Sequence, residues 1–245
     1  MSASRTAATT HRVLEQLRRD PRTVALLLVV PMVLLWLLEL VFDAQPATFD
    51  QIGPALLALF PFVVMFLVTS VTTLRERTSG TLERLLSMPL GRLELLLGYL
   101  VAFGLVAVVQ ASLASGLMLG FLGLDVAGPV WLLVLVAVID AILGCALGLF
   151  VSAFARTEFQ AVQFMPAVVL PQFLLCGLLV PRDQMGAVLE AISWVLPLSY
   201  AVDAMQRITV EATVSARTLV DLVAVTAAIG LSVALGAATL RRRTA

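Results

Sequence analysis

Few residues in this chain of 245 carry the chemistry of a catalyst. His11 is the one histidine, which excludes histidine-based triads and multi-histidine metal sites. All 16 basic residues are arginine, so a GxxxxGK[ST] phosphate loop and a lysine Schiff base are both impossible. Cys145 and Cys176 lie inside apolar runs without metal-ligand spacing and read as buried thiols. No catalytic constellation remains, and no cofactor or metal is expected on the chain. Equal numbers of basic and acidic residues give no pull towards nucleic acid. One ionisable side chain stands out. Asp140 lies near the middle of a long apolar run, where a carboxylate is costly to bury. It reads as a proton or substrate contact, or as a carboxyl that is hydrogen-bonded across helices or simply protonated. Gln110, Gln163 and Gln172 are neutral side chains in similar surroundings, suited to hydrogen bonds between helices.

The elements that must position these residues are legible from composition. Apolar residues make up 60% of the chain, charged ones 13%, and the mean hydropathy is +1.03, values of an integral membrane protein rather than a soluble domain. Six runs are long and apolar enough to cross about 30 Å of hydrocarbon as helix: 24–42, 54–74, 93–124, 129–154, 160–180 and 218–240. The runs are continuous, without the alternation of a barrel strand, so the fold class is all-α, with one membrane domain over 1–245. The first run carries Glu39 and lacks a small-x-small cleavage site, which argues against a removable signal peptide. Arginines at 5, 12, 18, 19, 22, 75, 77, 84, 92, 156 and 241–243 fall on one side of this threading, and only Arg182, Arg207 and Arg217 fall on the other. The positive-inside rule then places both termini in the cytoplasm of a multi-pass cell-membrane protein.

Two shorter pieces complete the expected architecture. Residues 10–20 put Val13, Leu14 and Leu17 on one face and Arg12, Glu15, Arg18 and Arg19 on the other, the pattern of an interfacial helix stopped by Asp20-Pro21. Residues 184–211, split by Pro197, are too short on either side to span and read as an outer re-entrant helical hairpin shielded by its neighbours.

The charge of the chain is concentrated in "LRERTSGTLERLLSMPLGRLELLLG", residues 74–98, between two apolar runs. Gly80 serves as a helix start with Glu83 near the positive end of the helix dipole, and Pro89 with Gly91 ends it. A short surface helix at 78–89 follows, Leu82, Leu85 and Leu86 on one side, with Glu76, Arg77, Glu83 and Arg84 facing cytosol or a partner. A snorkelling loop that merely obeys the positive-inside rule is the plainer reading, but orientation needs no glutamates.

This stretch resembles the coupling segment of ABC transporter permeases of the type 2 export class, roughly E-R-E-x-G-T-L-E-x-L-x-x-x-P-x-x-R-x-E. "LRRDPRTVALLLVVPMVLLWLLELVF" resembles the start of that family's first helix, and "LCGLLVPRDQMGAVLEAISWVLPLSYAVDAMQRI" its outer hairpin. Ser79 departs from the charged residue common there. The resemblance implies a non-enzymatic transport subunit that pairs with a second permease copy and docks on two ATPase subunits. ATP and magnesium belong to those partners, in keeping with a chain that lacks the phosphate-loop lysine. Glu76, Arg77, Gly80, Thr81, Leu82, Glu83, Arg84 and Leu86 are then the ATPase-coupling residues.

In the family the dimer seam and cargo route use the first, second and fifth helices. Here those spans offer Phe60, Phe62, Phe66, Gln163, Phe164, Gln172 and Phe173, aromatics with a few amides that suit a drug, antibiotic or lipid moved outwards from the cytoplasm or inner leaflet. Export of a lipid-linked glycan is the neighbouring alternative, and a proton-coupled carrier using Asp140 is the alternative from another class. Small residues repeat every fourth position as Ser112, Gly116, Gly120, as Gly144, Gly148, Ser152, and as Ala224, Ala228, Ser232, Gly236. These three stripes are expected to permit close helix packing within the subunit.

Overall fold

The computed structural model describes residues 2–78 and 91–239; apart from Thr78, the expected helix at 78–89, with Gly80, Thr81, Leu82, Glu83, Arg84 and Leu86, lies outside the described residues. The described chain is helical throughout: α1 Ala3–Arg19, α2 Pro21–Val41, α3 Pro46–Thr78, α4 Arg92–Gly120, α5 Val130–Ser152, α6 Glu158–Leu175, α7 Ala187–Ser193, α8 Pro197–Val210 and α9 Ala216–Thr239, with one 3₁₀ turn at Arg182–Gln184. Five of these helices, α2, α3, α4, α5 and α9, are long and apolar enough to cross a membrane.

The sixth expected span is where sequence and structure differ. The run at 160–180 forms the 18-residue α6, which ends at Leu175 because Gly177 takes φ +93°, a left-handed conformation that closes a helix C-terminus. Pro166 and Pro171 interrupt its backbone hydrogen bonding as well. A further span exists only if α7 and α8, which meet at 90°, are counted as one broken helix.

The centre of the bundle is the pair α3 and α5. Gly144 and Gly148 of α5 face the backbone of α3: a Cβ on Gly144 would collide with the Phe62 carbonyl oxygen, and one on Gly148 with that of Phe66. With both glycines bare, the two helices touch along their backbones, and Phe62, Met65 and Phe66 are fully buried beside them. The third stripe behaves similarly, with Ser232 and Gly236 buried in α9. The stripe Ser112, Gly116, Gly120 does not. All three residues are exposed, and nothing lies within reach of a Cβ at Gly116 or Gly120, so this face of α4 points away from the subunit.

α8 is the most enclosed of the short helices, with Leu198, Ala201, Val202, Ala204, Met205 and Ile208 buried against α3, α5 and α9. Pro197 opens it at a position that needs no N–H. Its first amide, Leu198 N–H, donates to Gln172 Oε1 at 3.2 Å, and Ser199 Oγ donates to the Leu175 carbonyl at 3.3 Å. Its far end meets the α4–α5 connection, where Gly128 N–H donates to the Ile208 carbonyl at 2.9 Å.

α1 begins earlier than residue 10. Its buried line is Thr9, Val13, Leu17, at four-residue spacing, and it packs chiefly on α4. Asp20 ends α1 and caps α2, accepting from Thr23 N–H at 3.2 Å and from Thr23 Oγ1 at 2.5 Å. Those two bonds hold the Asp20 carboxyl below its ordinary range, the side-chain bond most.

α2 is attached along a narrow line, Leu27, Pro31 and Leu35. Pro31 has no N–H for the Leu27 carbonyl four residues earlier. Gln110 of α4 supplies the missing donor, Nε2 to the Leu27 oxygen at 2.7 Å in a fully buried setting. Among the described residues this is the hydrogen bond that joins α2 to another helix.

Candidate functional site

The last turn of α3, immediately before residues 79–90, is a junction. Three consecutive side chains leave it in three directions, because successive helical residues point about 100° apart. Arg75 binds Glu158, the first residue of α6, through two bonds, Nε to Oε1 at 2.7 Å and Nη2 to Oε2 at 3.0 Å. Glu76 receives both guanidinium nitrogens of Arg12 of α1, each at 3.0 Å. Arg77 donates to the carbonyl of Ser152 at the end of α5. The two bidentate pairs fix angle as well as distance.

The far side of the 79–90 segment is held by α1 too. Glu94, in the first turn of α4, accepts from Gly91 N–H at 3.0 Å and from Ser2 N–H at 2.6 Å, with Arg5 3.7 Å away. One turn on, Thr10 Oγ1 donates to the Gly98 carbonyl at 3.1 Å. Tyr99 bridges the two sides: its hydroxyl accepts from Arg12 at 2.7 Å, the same arginine that holds Glu76. α1 therefore straps the two stems of the segment together.

Placement of the expected coupling residues follows from this. Glu76 is 8% exposed and paired with Arg12 within the chain, where its position in the charged run suggests a side chain turned to solvent. Arg77 likewise reaches inwards to α5. Arg12, Arg75, Glu94, Tyr99 and Glu158 complete the junction and were missed. A G-x-x-E spacing at Gly91–Glu94 and a lone tyrosine in an apolar run were the available signals; the partners of both are 87 or more residues away.

The residues expected along a cargo route do not form one surface. Phe62 and Phe66 are buried in the α3–α5 contact, and Gln172 is spent on α8 and on the Val168 carbonyl. Phe60 and Phe173 are half-buried. Gln163 and Phe164 do share a cavity, about 440 Å³, with Phe154, Arg156, Gln160 and Ala167 at the start of α6. A larger open cavity, about 1200 Å³, lies at the other end of the bundle between the start of α3, the α7–α8 pair and α9. Its wall is an ion chain, Arg182 to Asp203 and Arg207 to Asp221 at 2.6 Å, with the Arg182 guanidinium stacked 4.1 Å from the Trp194 ring.

Asp140 is 0% exposed in the middle of α5, and neither carboxyl oxygen has a hydrogen-bond partner among the described residues. Gln110 is not its partner, being bound to Leu27, nor is Gln172. Cys145 and Cys176 are buried and unpaired, as their apolar settings suggest.

Apolar helices around a close-packed pair, with ion pairs gathered at the two ends, define a multi-pass membrane protein. Residues 5–210 match the family model described as ABC-2 type transporter, and the chain belongs to that family. Among curated relatives, the "Probable multidrug ABC transporter permease YbhS" of Escherichia coli (strain K12) is 29% identical over 165 residues, which is 66% of this chain and 44% of the relative. "Probable multidrug ABC transporter permease YbhR" of the same organism is 28% identical over 155 residues, 63% of this chain and 42% of its own length. "ABC transporter G family member 20" of Dictyostelium discoideum is 26% identical over 159 residues, 65% of this chain and 22% of its own. The chain spans less than half the length of these relatives.

Proposed function

We propose that the chain is the membrane subunit of an ATP-driven exporter, working as a dimer with a second permease copy and driven by two ATPase subunits. Both termini are then cytoplasmic, α6 completes a sixth crossing together with the segment after it, and α7–α8 is the outer re-entrant hairpin. The observation that carries this reading is the junction at residues 75–77 and 91–99. A charged segment whose two stems are tied by ion pairs to α1 and α6 and by an arginine–carbonyl hydrogen bond to α5 is built to receive force, whereas a loop that only marks orientation needs no such ties. Gly80, Thr81, Leu82, Glu83, Arg84 and Leu86 supply the docking face, while Glu76 and Arg77 anchor it. The cargo is a hydrophobic or amphipathic molecule, a drug, antibiotic or lipid. Two relatives bear multidrug in their names, and the cavity beside Gln163 and Phe164 combines aromatic and amide groups.

Charge reversal by Glu83→Arg tests the reading on the reconstituted complex. Insertion and expression of the chain should be unchanged, and ATPase association or cargo-coupled ATP turnover should fall. A cysteine at position 83 should cross-link to the ATPase more readily than one at 156. Normal transport by Glu83→Arg with no cross-link from position 83 would reduce the segment to an interfacial loop. Orientation is tested by thiol labelling of sealed cells: cysteines at 48, 126 and 186 should react from outside, and one at 79 should not.

A second reading rests on Asp140, whose unpartnered burial suits a proton site. Transport that collapses with the proton gradient at constant ATP would favour it.

A further inference from the structure

α3 and α5 are in direct backbone contact, since a Cβ at Gly144 or Gly148 would meet a carbonyl oxygen of α3. α6 is bound quite differently. Only Ala161, Val169 and Gln172 of its 18 residues are buried; it packs along α3, with Ala161 in one apolar cluster with Leu74, while its contact with α5 is slight. Its polar ties are concentrated at its two ends. At the first, Glu158 is gripped by Arg75, and Thr157 and Gln160 lock the first turn, Thr157 Oγ1 accepting from Gln160 N–H at 3.2 Å and Gln160 Oε1 from Arg156 N–H at 2.8 Å. At the second, Gln172 and the Leu175 carbonyl hold the first turn of α8, where the hairpin turns through 90°.

From this we propose that α6 is the rod that carries displacement from the junction to the α7–α8 hairpin, with Arg75 and Glu158 as positioning residues. The inference rests on the exporter reading and says how the stroke crosses the membrane. A movement of the 79–90 segment acts on the end of α3. The part-buried Arg12–Glu76 pair moves α1 with it, and the close-packed α3–α5 pair backs the end of α3. The Arg75–Glu158 pair is 61% and 50% exposed at its side chains, bidentate, and adds a directional tie to a helix that otherwise follows α3 through apolar packing. Displacement there passes along α6 to Gln172, and from Gln172 into the N-terminus of α8. Because an exposed ion pair contributes little to stability, losing it removes the linkage without unfolding the bundle. A physical claim of coupling needs a perturbation read at the other end, which the geometry makes available.

The experiment uses the full chain with its ATPase in nanodiscs, in a Cys145→Ser, Cys176→Ser background with Val188→Cys as a reporter on the exposed side of α7. Labelling of the reporter thiol at position 188 by an impermeant maleimide is compared without nucleotide and with ATP and vanadate. The rate should change on ATP trapping. Arg75→Glu and Glu158→Arg should each abolish that change while ATP hydrolysis and ATPase association persist, and the exchanged pair Arg75→Glu with Glu158→Arg should restore it. Gln172→Leu should abolish the change with the ion pair intact. A merely structural role would lower the melting temperature of the single variants and would leave ATP-dependent labelling in the surviving protein. The inference is overturned if either single reversal keeps the response, if the exchange fails to restore it, or if ATP leaves labelling at position 188 unchanged in a complex that still hydrolyses ATP. A chain that recruits no ATPase at all removes the exporter reading itself, a different result.

Discussion

Gln110 offers the most direct test of how the bundle is held together. Gln110→Leu removes the donor that satisfies the Leu27 carbonyl, and Pro31 prevents the helix from supplying another. A buried acceptor left without a partner costs about 1–3 kcal/mol. Two effects reduce that figure. Hydrogen bonds between membrane helices measure about 0.6 kcal/mol on average and about 1.7 at most. The Gln110 Oε1 atom is itself buried without a partner, so deleting it recovers part of the loss. The expected cost is therefore about 1 kcal/mol, roughly a factor of five in the equilibrium between docked and undocked α2. The decisive variant is Pro31→Ala, which restores an N–H four residues after Leu27. In that background Gln110→Leu should be neutral or slightly stabilising, giving a coupling energy of about 1 kcal/mol between positions that are 79 apart in sequence and share one carbonyl. Reversible unfolding in mixed micelles, followed on all four members of the cycle, measures it. An equal cost of Gln110→Leu with and without Pro31 would refute the argument, since the carbonyl would then not be what Gln110 serves.

Other outcomes follow from the same geometry. Gly144→Ala should separate α3 from α5 and cost about 1–3 kcal/mol by overpacking, while Gly116→Ala, with open space at its Cβ, should be neutral or stabilise α4 by up to about 1 kcal/mol; the pair is compared by thermal unfolding in detergent. Asp140→Asn should leave ATP-driven transport within a few-fold of the parent, because no charged partner is lost; complete loss with normal insertion would favour the proton-coupled reading. Asp20 has its pKa lowered in the folded chain by Thr23, so its cap on α2 is fully present above the ordinary carboxylate range and is lost as pH falls through the depressed value. Protection of the Thr23 amide from hydrogen exchange should fall over that acidic window in the parent and stay flat in Asp20→Asn.

Much of this protein is determined by sequence alone, and for a plain reason. In hydrocarbon every backbone group must be satisfied within its own segment, so a long apolar run has to be a helix whatever surrounds it. That holds for α2 to α5 and α9, whose cores the runs place to within a few residues except for α3, which extends eight residues further at its start and four at its end. Helix ends with local causes were also legible, as at Asp20-Pro21 and Pro197. Tertiary structure decided what depends on distant partners. Whether Glu76 faces outwards or pairs with Arg12 is set by a helix 64 residues earlier in the chain. The three small-residue stripes look alike as sequence, yet only the neighbour opposite makes Gly144 and Gly148 a contact and leaves Gly116 and Gly120 bare. Gln172 reads as one more amide in an apolar run, and only the arrival of α8 gives its oxygen an N–H to accept. Periodicity and composition are properties of one segment. A hydrogen bond or a close backbone approach belongs to two, and the second is chosen by the fold.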